Sequence, residues 1–141
     1  MNGYALLTRF PVHWGELDLY GHVNNTRFFV WFETARMAWF QAVGLLEGAG
    51  RPEGMGPILA STQADFLRPV RFPADLVVGA RCSRMGNTSF VLEYAVALAD
   101  AADEPVARGS SVVVLIDYST GATVRVPDAL RASITALDGT R

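Results

Sequence analysis

The chain contains no lysine, a single cysteine and only two histidines in 141 residues. A lone Cys82 excludes an intrachain disulfide and any cysteine-based zinc cluster, and it points to a reducing compartment. Neither His13 nor His22 has a partner at metal-ligand spacing, so no metal site is expected. Without lysine, all twelve basic residues are arginine, and every cationic contact to phosphate or carboxylate must be a forked guanidinium contact. The formal net charge of −2 removes any global pull toward nucleic acid or an anionic membrane. No basic start leads into an apolar run and a small-residue cleavage site, so the protein is expected to be cytoplasmic. There is no internal repeat, low-complexity tract or charged tail. Half of the residues are hydrophobic, enough for one core, and residues 1–141 read as a single domain.

What is present is organised around one helix. Phe28, Phe29, Val30, Trp31, Phe32, Ala35, Met37, Ala38, Trp39, Phe40, Ala42 and Val43 cover nearly every direction of a 3.6-residue repeat. Only a thin polar stripe through Arg27, Thr34 and Gln41 remains, which predicts a helix buried on most sides. Arg27, Glu33 and Arg36 punctuate it, so it is not a membrane span. Asn24 and Asn25 stand where an N-cap is needed, and Gly44 where a left-handed residue ends the helix. The connection from Gly44 to Pro57 carries four further glycines and reads as a flexible link, a candidate lid.

Tyr4 to Trp14 reads as a first strand, with Phe10, Val12 and Trp14 on one face and His13 and Trp14 as core or pocket wall. From Ile58 to Val70, Leu76 to Met85, Ser89 to Leu98 and Val106 to Tyr118 the period is two, which predicts four strands in an antiparallel meander. In the third of these runs Phe90, Leu92, Tyr94, Val96 and Leu98 form the large face expected to lie on the helix. Leu130, Ile134 and Leu137 form a stripe behind Pro127, predicting a short closing helix. The fold class is therefore α+β, with a long central helix wrapped by a curved antiparallel sheet.

This order of elements, with the run WGELDLYGHVNNTRFFVWFETAR ahead of and into the helix, resembles the hotdog fold, and within it the 4-hydroxybenzoyl-CoA thioesterase-like acyl-CoA thioesterases. The Asp-x-x-Gly-His-Val-Asn-Asn segment is the specific part of the match, and the GNTSFVLEY hairpin and VPDALRASI tail extend it. The resemblance implies an enzyme that converts an acyl-CoA and water to a carboxylate and free coenzyme A. The coenzyme is part of the substrate, and no separate cofactor is expected. Such chemistry needs a nucleophile or general base beside the carbonyl carbon and donors where its oxygen becomes negative. The family's catalytic aspartate falls on Asp18, seven residues ahead of Asn25, whose N–H would offer the positive helix end to the thioester oxygen. By its own chemistry, without the resemblance, Asp18 reads first as a turn-forming acid bonded to its loop. His22 is implied to shape the pocket or to bond near the reacting carbonyl, or else to be structural. Glu16 stands where some relatives have aspartate, and no role follows for it from the sequence.

Glu33 competes with Asp18, since a second branch of hotdog thioesterases takes its carboxylate from the long helix. An ion pair to Arg36, three residues on, explains Glu33 without catalysis. Arg84 and Ser89, flanking the Gly86-Asn87-Thr88 turn, match a region where relatives hold the nucleotide, although Arg84 also reads as a solvated strand-end arginine. Ser61, Thr62 and Gln63 are candidates for the cavity wall. The resemblance further implies a homodimer or homotetramer with sites shared between copies. Two other functions fit the same residues: a thioesterase for acyl carrier protein substrates, and a non-catalytic acyl-CoA-binding hotdog domain.

Overall fold

The computed structural model describes residues 1–46 and 54–140. Five strands and two helices run in the order β1 (Leu6–Pro11), α1 (Asn25–Ala42), β2 (Met55–Phe66), β3 (Asp75–Met85), β4 (Ser89–Leu98), β5 (Pro105–Asp117) and α2 (Asp128–Asp138). The expected hotdog α+β architecture is present, with all ladders antiparallel in the order β1-β3-β4-β5-β2. Residues 47–53, the middle of the connection read as a lid, lie outside the described residues.

The chemistry of the helix ends accounts for the limits of α1. Asn24 caps it, its Oδ1 accepting the Thr26 N–H at 2.9 Å, and Gly44 follows the last turn with φ of 78°, a conformation that costs glycine nothing. Its inner side buries Phe28, Trp31, Phe32, Ala35, Trp39 and Phe40 against the sheet, with Phe32, Trp39 and Phe40 on the large face of β4. Phe32 stacks on Tyr94 with ring centroids 4.8 Å apart, and Trp39 meets Phe90 at 5.4 Å. Each fully buried aromatic side chain contributes about 1.5–3 kcal/mol by transfer from water alone. Packing is close enough that a side chain at Gly109 would lie 2.4 Å from the Phe32 ring.

Three expectations need correction. The four later strands are not one meander, because β2 pairs with β5 at the far edge and only β3, β4 and β5 follow one another. The reason is the connection Leu67–Ala74, which crosses the sheet end instead of making a tight turn. It is tied there by Val23 N–H to Val70 O at 2.8 Å and Val12 N–H to Ala74 O at 2.8 Å. Next, α1 is not buried on most sides. Val30 and Met37 are each 44% exposed, beside exposed Glu33, Thr34 and Gln41, because one sheet covers only one side of a helix. Finally, β1 ends at Pro11, and Trp14, 74% exposed in a short 3-10 turn, belongs to neither core nor strand; His13 is exposed as well.

Candidate active site

Between β1 and α1 the chain forms a small hairpin whose neck is the bridge Leu17–Val23. Asp18 occupies the first corner. Its N–H donates to His22 O at 2.7 Å, and its Oδ1 accepts from the Tyr20 N–H at 2.8 Å and the His22 N–H at 3.2 Å. The turn-forming role is thus real, but it uses only one carboxylate oxygen. Oδ2 has no protein donor among the described residues.

Asp18, His22 and Asn25 line one cleft of about 480 Å³, together with Val23, Asn24, Phe28 and Phe66 to Val70. The apolar wall is built by Phe28 and Phe66, which meet edge to face with centroids 5.1 Å apart. Arg68 stands at the rim, paired with Glu104 at 2.6 Å. At the helix start, the Thr26 N–H is taken by Asn24 Oδ1 and the Arg27 N–H by Asn24 O at 3.0 Å. The Asn25 N–H has no acceptor among the described residues, as expected for an amide in a first helical turn. The cleft therefore joins a carboxylate oxygen without a partner, a free amide at the positive helix end and an apolar wall. Those are the parts needed to bind a neutral acyl group and to stabilise negative charge developing on its carbonyl oxygen.

The remaining sequence candidates lie elsewhere. Glu33, 69% exposed, sits 3.9 Å from Arg36 and lines a separate cleft of about 160 Å³ with Phe29, Val30, Leu59 and Thr62. Ser61 and Gln63 are exposed on the edge strand β2, and Thr62 accepts from Ser111 Oγ at 3.1 Å, so this trio is not part of the Asp18 cleft wall. Arg84 and Ser89 flank the β3–β4 turn, which Arg131 secures by donating to Gly86 O at 2.6 Å and Asn87 O at 3.1 Å. Arg84 is level with Ser61 through the ladder partners Val91 and Val112. From there to Phe66 is roughly 17 Å along the strands and about 14 Å across them, so these two residues do not reach the cleft of their own chain. Cys82 is buried and free. Burial pushes its thiol up to about 11, with Asp138 and Glu93 adding to the effect and a contact to Arg84 O opposing it, so it is no thiolate nucleophile at neutral pH. No three His, Cys, Asp or Glu side chains gather around a possible metal position among the described residues.

The comparisons with known proteins bear on this arrangement directly. Residues 12–134 match the family model described as the thioesterase-like superfamily. The chain belongs to that superfamily. Among solved structures, a thioesterase of Thermus thermophilus complexed with coenzyme A and Zn is 32% identical, with 99% of this chain and 98% of that one covered and a TM-score of 0.83. The PA2801 protein of Pseudomonas aeruginosa is 34% identical over 93% of this chain and 98% of its own, with a TM-score of 0.84. YsmA of Bacillus subtilis (strain 168) is 27% identical over 126 residues, covering 89% of this chain and 82% of that protein.

Sequence reasoning passed over Glu16 and the segment from Phe66 to Val70. Glu16 is only 6% exposed, and no pattern marked an acid two residues before Asp18 as an interior group. Phe66 to Val70 read as the end of a strand, and only the crossing of the sheet end brings them to the cleft.

Proposed function

We propose that this protein is an acyl-CoA thioesterase, a single hotdog domain over residues 1–141, in which Asp18 is the reacting carboxylate. The observation that carries the reading is Asp18 itself: one oxygen is fixed by two backbone donors, the other has no protein donor among the described residues, and the residue lines one cleft together with Asn25. In the reaction, Asp18 Oδ2 takes a proton from water as that water attacks the carbonyl carbon, or attacks the carbon itself to give a mixed anhydride that water then opens. Either route breaks the carbon–sulfur bond and releases coenzyme A as the thiol. The Asn25 N–H receives the oxyanion, a kind of contact worth about 2.7–4 kcal/mol where a single such donor is removed. His22 shapes the cleft beside it.

Coenzyme A as carrier is supported by the 32%-identical thioesterase complexed with it. The reading includes a homodimer or homotetramer with shared sites. Supporting it, β2 presents an open edge twelve residues long, with exposed Met55, Ile58 and Leu59, beside exposed Val30 and Met37 of α1; an edge of this kind calls for a partner. Arg84 and Ser89, remote from their own cleft, would meet the nucleotide of a coenzyme held by another copy. No helix is long and apolar enough to cross a membrane among the described residues, and a lone buried cysteine suits a reducing, cytoplasmic setting.

The test is release of free thiol from short, long, branched and aromatic acyl-CoAs, with acyl carrier protein thioesters alongside. Turnover of acyl-CoA members that disappears in Asp18→Asn is expected. Turnover confined to carrier-protein thioesters, or none at all, contradicts the proposal.

A further inference from the structure

Glu16 does not line the cleft, yet both ends of the Asp18 hairpin converge on it. His13 N–H donates to its Oε1 at 2.7 Å, and Asn24 N–H, at the cap of α1, donates to its backbone oxygen at 2.9 Å. Arg27 Nε and Trp31 Nε1 donate to its Oε2 at 3.1 Å and 3.2 Å. Trp31 is buried and packs on Phe28, a cleft-wall residue, with centroids 4.7 Å apart. Leu17 and Val23 anchor the hairpin neck on the core, and Val23 N–H to Val70 O tethers it to the sheet-end crossing, but its tip is loose: Leu19 and Tyr20 are fully or largely exposed. Removing Glu16's carboxylate would leave the indole and guanidinium donors of α1 without this acceptor and the hairpin neck without its side-chain link to the helix, with only the backbone bond to Asn24 remaining.

We propose that Glu16 is a positioning residue for thioester hydrolysis: it ties the neck of the Asp18 hairpin to the first two turns of α1, and so fixes Asp18 relative to the Asn25 N–H. The inference rests on the reading of Asp18 as the reacting carboxylate. Catalysis between two groups on different elements depends on their separation, and a displacement of about 1 Å can cost on the order of 10²-fold in rate. A merely structural Glu16 would affect melting and leave turnover of the folded protein alone.

The experiment measures kcat and KM of the full chain as Glu16→Gln, with the acyl-CoA turned over best by the wild type. Glutamine keeps the size but offers one acceptor oxygen, so either the His13 side or the Arg27–Trp31 side loses its bond. A fall in kcat of roughly tenfold to a hundredfold, with KM within about twofold, is expected in protein whose circular dichroism is unchanged. In the Asp18→Asn background the same substitution should change the residual rate by less than about twofold, since groups acting as a unit are non-additive. Wild-type kcat in folded Glu16→Gln overturns the proposal, and so does a loss that persists undiminished without Asp18. Should Glu16→Gln fail to fold, Arg27→Met removes one donor from the half-exposed side, and the same kcat loss and non-additivity decide the matter. Full activity of Asp18→Asn would sink the underlying reading and this role with it, whereas inactive Asp18→Asn beside fully active Glu16→Gln would sink this role alone.

Discussion

Asp18 and His22 hold each other twice: the Asp18 N–H donates to His22 O at 2.7 Å, and the His22 N–H donates to Asp18 Oδ1 at 3.2 Å. This reciprocal pair closes the hairpin corner and leaves the second carboxylate oxygen without a protein donor among the described residues. Turn formation occupies one oxygen of the side chain, and the proposed chemistry falls to the other. Substituting Asp18 by alanine would confuse the two roles, whereas asparagine keeps the Oδ1 acceptor and alters only the reacting oxygen.

Glu33→Gln should retain turnover. Its carboxylate is exposed, belongs to a different cleft and meets Arg36 only at 3.9 Å, so losing the charge should cost about 0.5 kcal/mol of stability or less. Thermal unfolding and thiol release on the same preparation check both statements.

The Glu16 carboxyl sets an acid limit on stability. Burial alone would raise it, but hydrogen bonds from His13, Arg27 and Trp31 and the Arg27 charge outweigh burial and hold it below the ordinary value of 4.5. A carboxyl lowered in the folded state stabilises the fold fully above its unfolded value, and that contribution is lost as pH falls through the folded one. Melting temperature should therefore decline as pH drops below about 4.5, and in Glu16→Gln this part of the decline should flatten. An acid limb identical to that of the wild type would remove Glu16 as its source.

Arg84→Ala should raise KM for an acyl-CoA and leave kcat nearly intact, because a remote phosphate contact helps ground and transition states alike. Steady-state kinetics with a carrier-free thioester as control separates this from a fold effect. An unchanged KM would take Arg84 out of coenzyme binding.

Light scattering at micromolar concentration should give a mass at least twice the 15.3 kDa of the chain. Replacing Leu59, exposed on the open edge strand, with lysine should lower that mass, since charge on an edge opposes pairing. A stable monomer in the unaltered protein would contradict shared sites.

Much of this was legible in the sequence because local chemistry dictates it. The Asn24 cap, the ending of α1 before Gly44, the inward row from Phe90 to Val96 and the Leu130–Ile134 stripe all follow from period and end chemistry, and the structure has each in place. The hairpin corner at Asp18 was likewise readable from an acid followed by glycine and two asparagines. What period cannot carry is the partner of a strand: Met55–Phe66 alternates as well beside β5 as beside β3, and only the Leu67–Ala74 crossing decides. For the same reason Phe66 to Val70 went unread as cleft wall. Val30 and Met37 misled in another way, because apolar residues left exposed on a helix look the same in sequence as residues facing a core.

The most direct measurement is kcat for acyl-CoA hydrolysis by Asp18→Asn beside the wild type, with circular dichroism and melting showing both folded. The account predicts a fall of roughly 10²–10⁴, with the fold intact because the amide keeps the shape and the Oδ1 acceptor. Wild-type turnover in folded Asp18→Asn, with turnover abolished in folded Glu33→Gln, would contradict it and move the reaction to the helix.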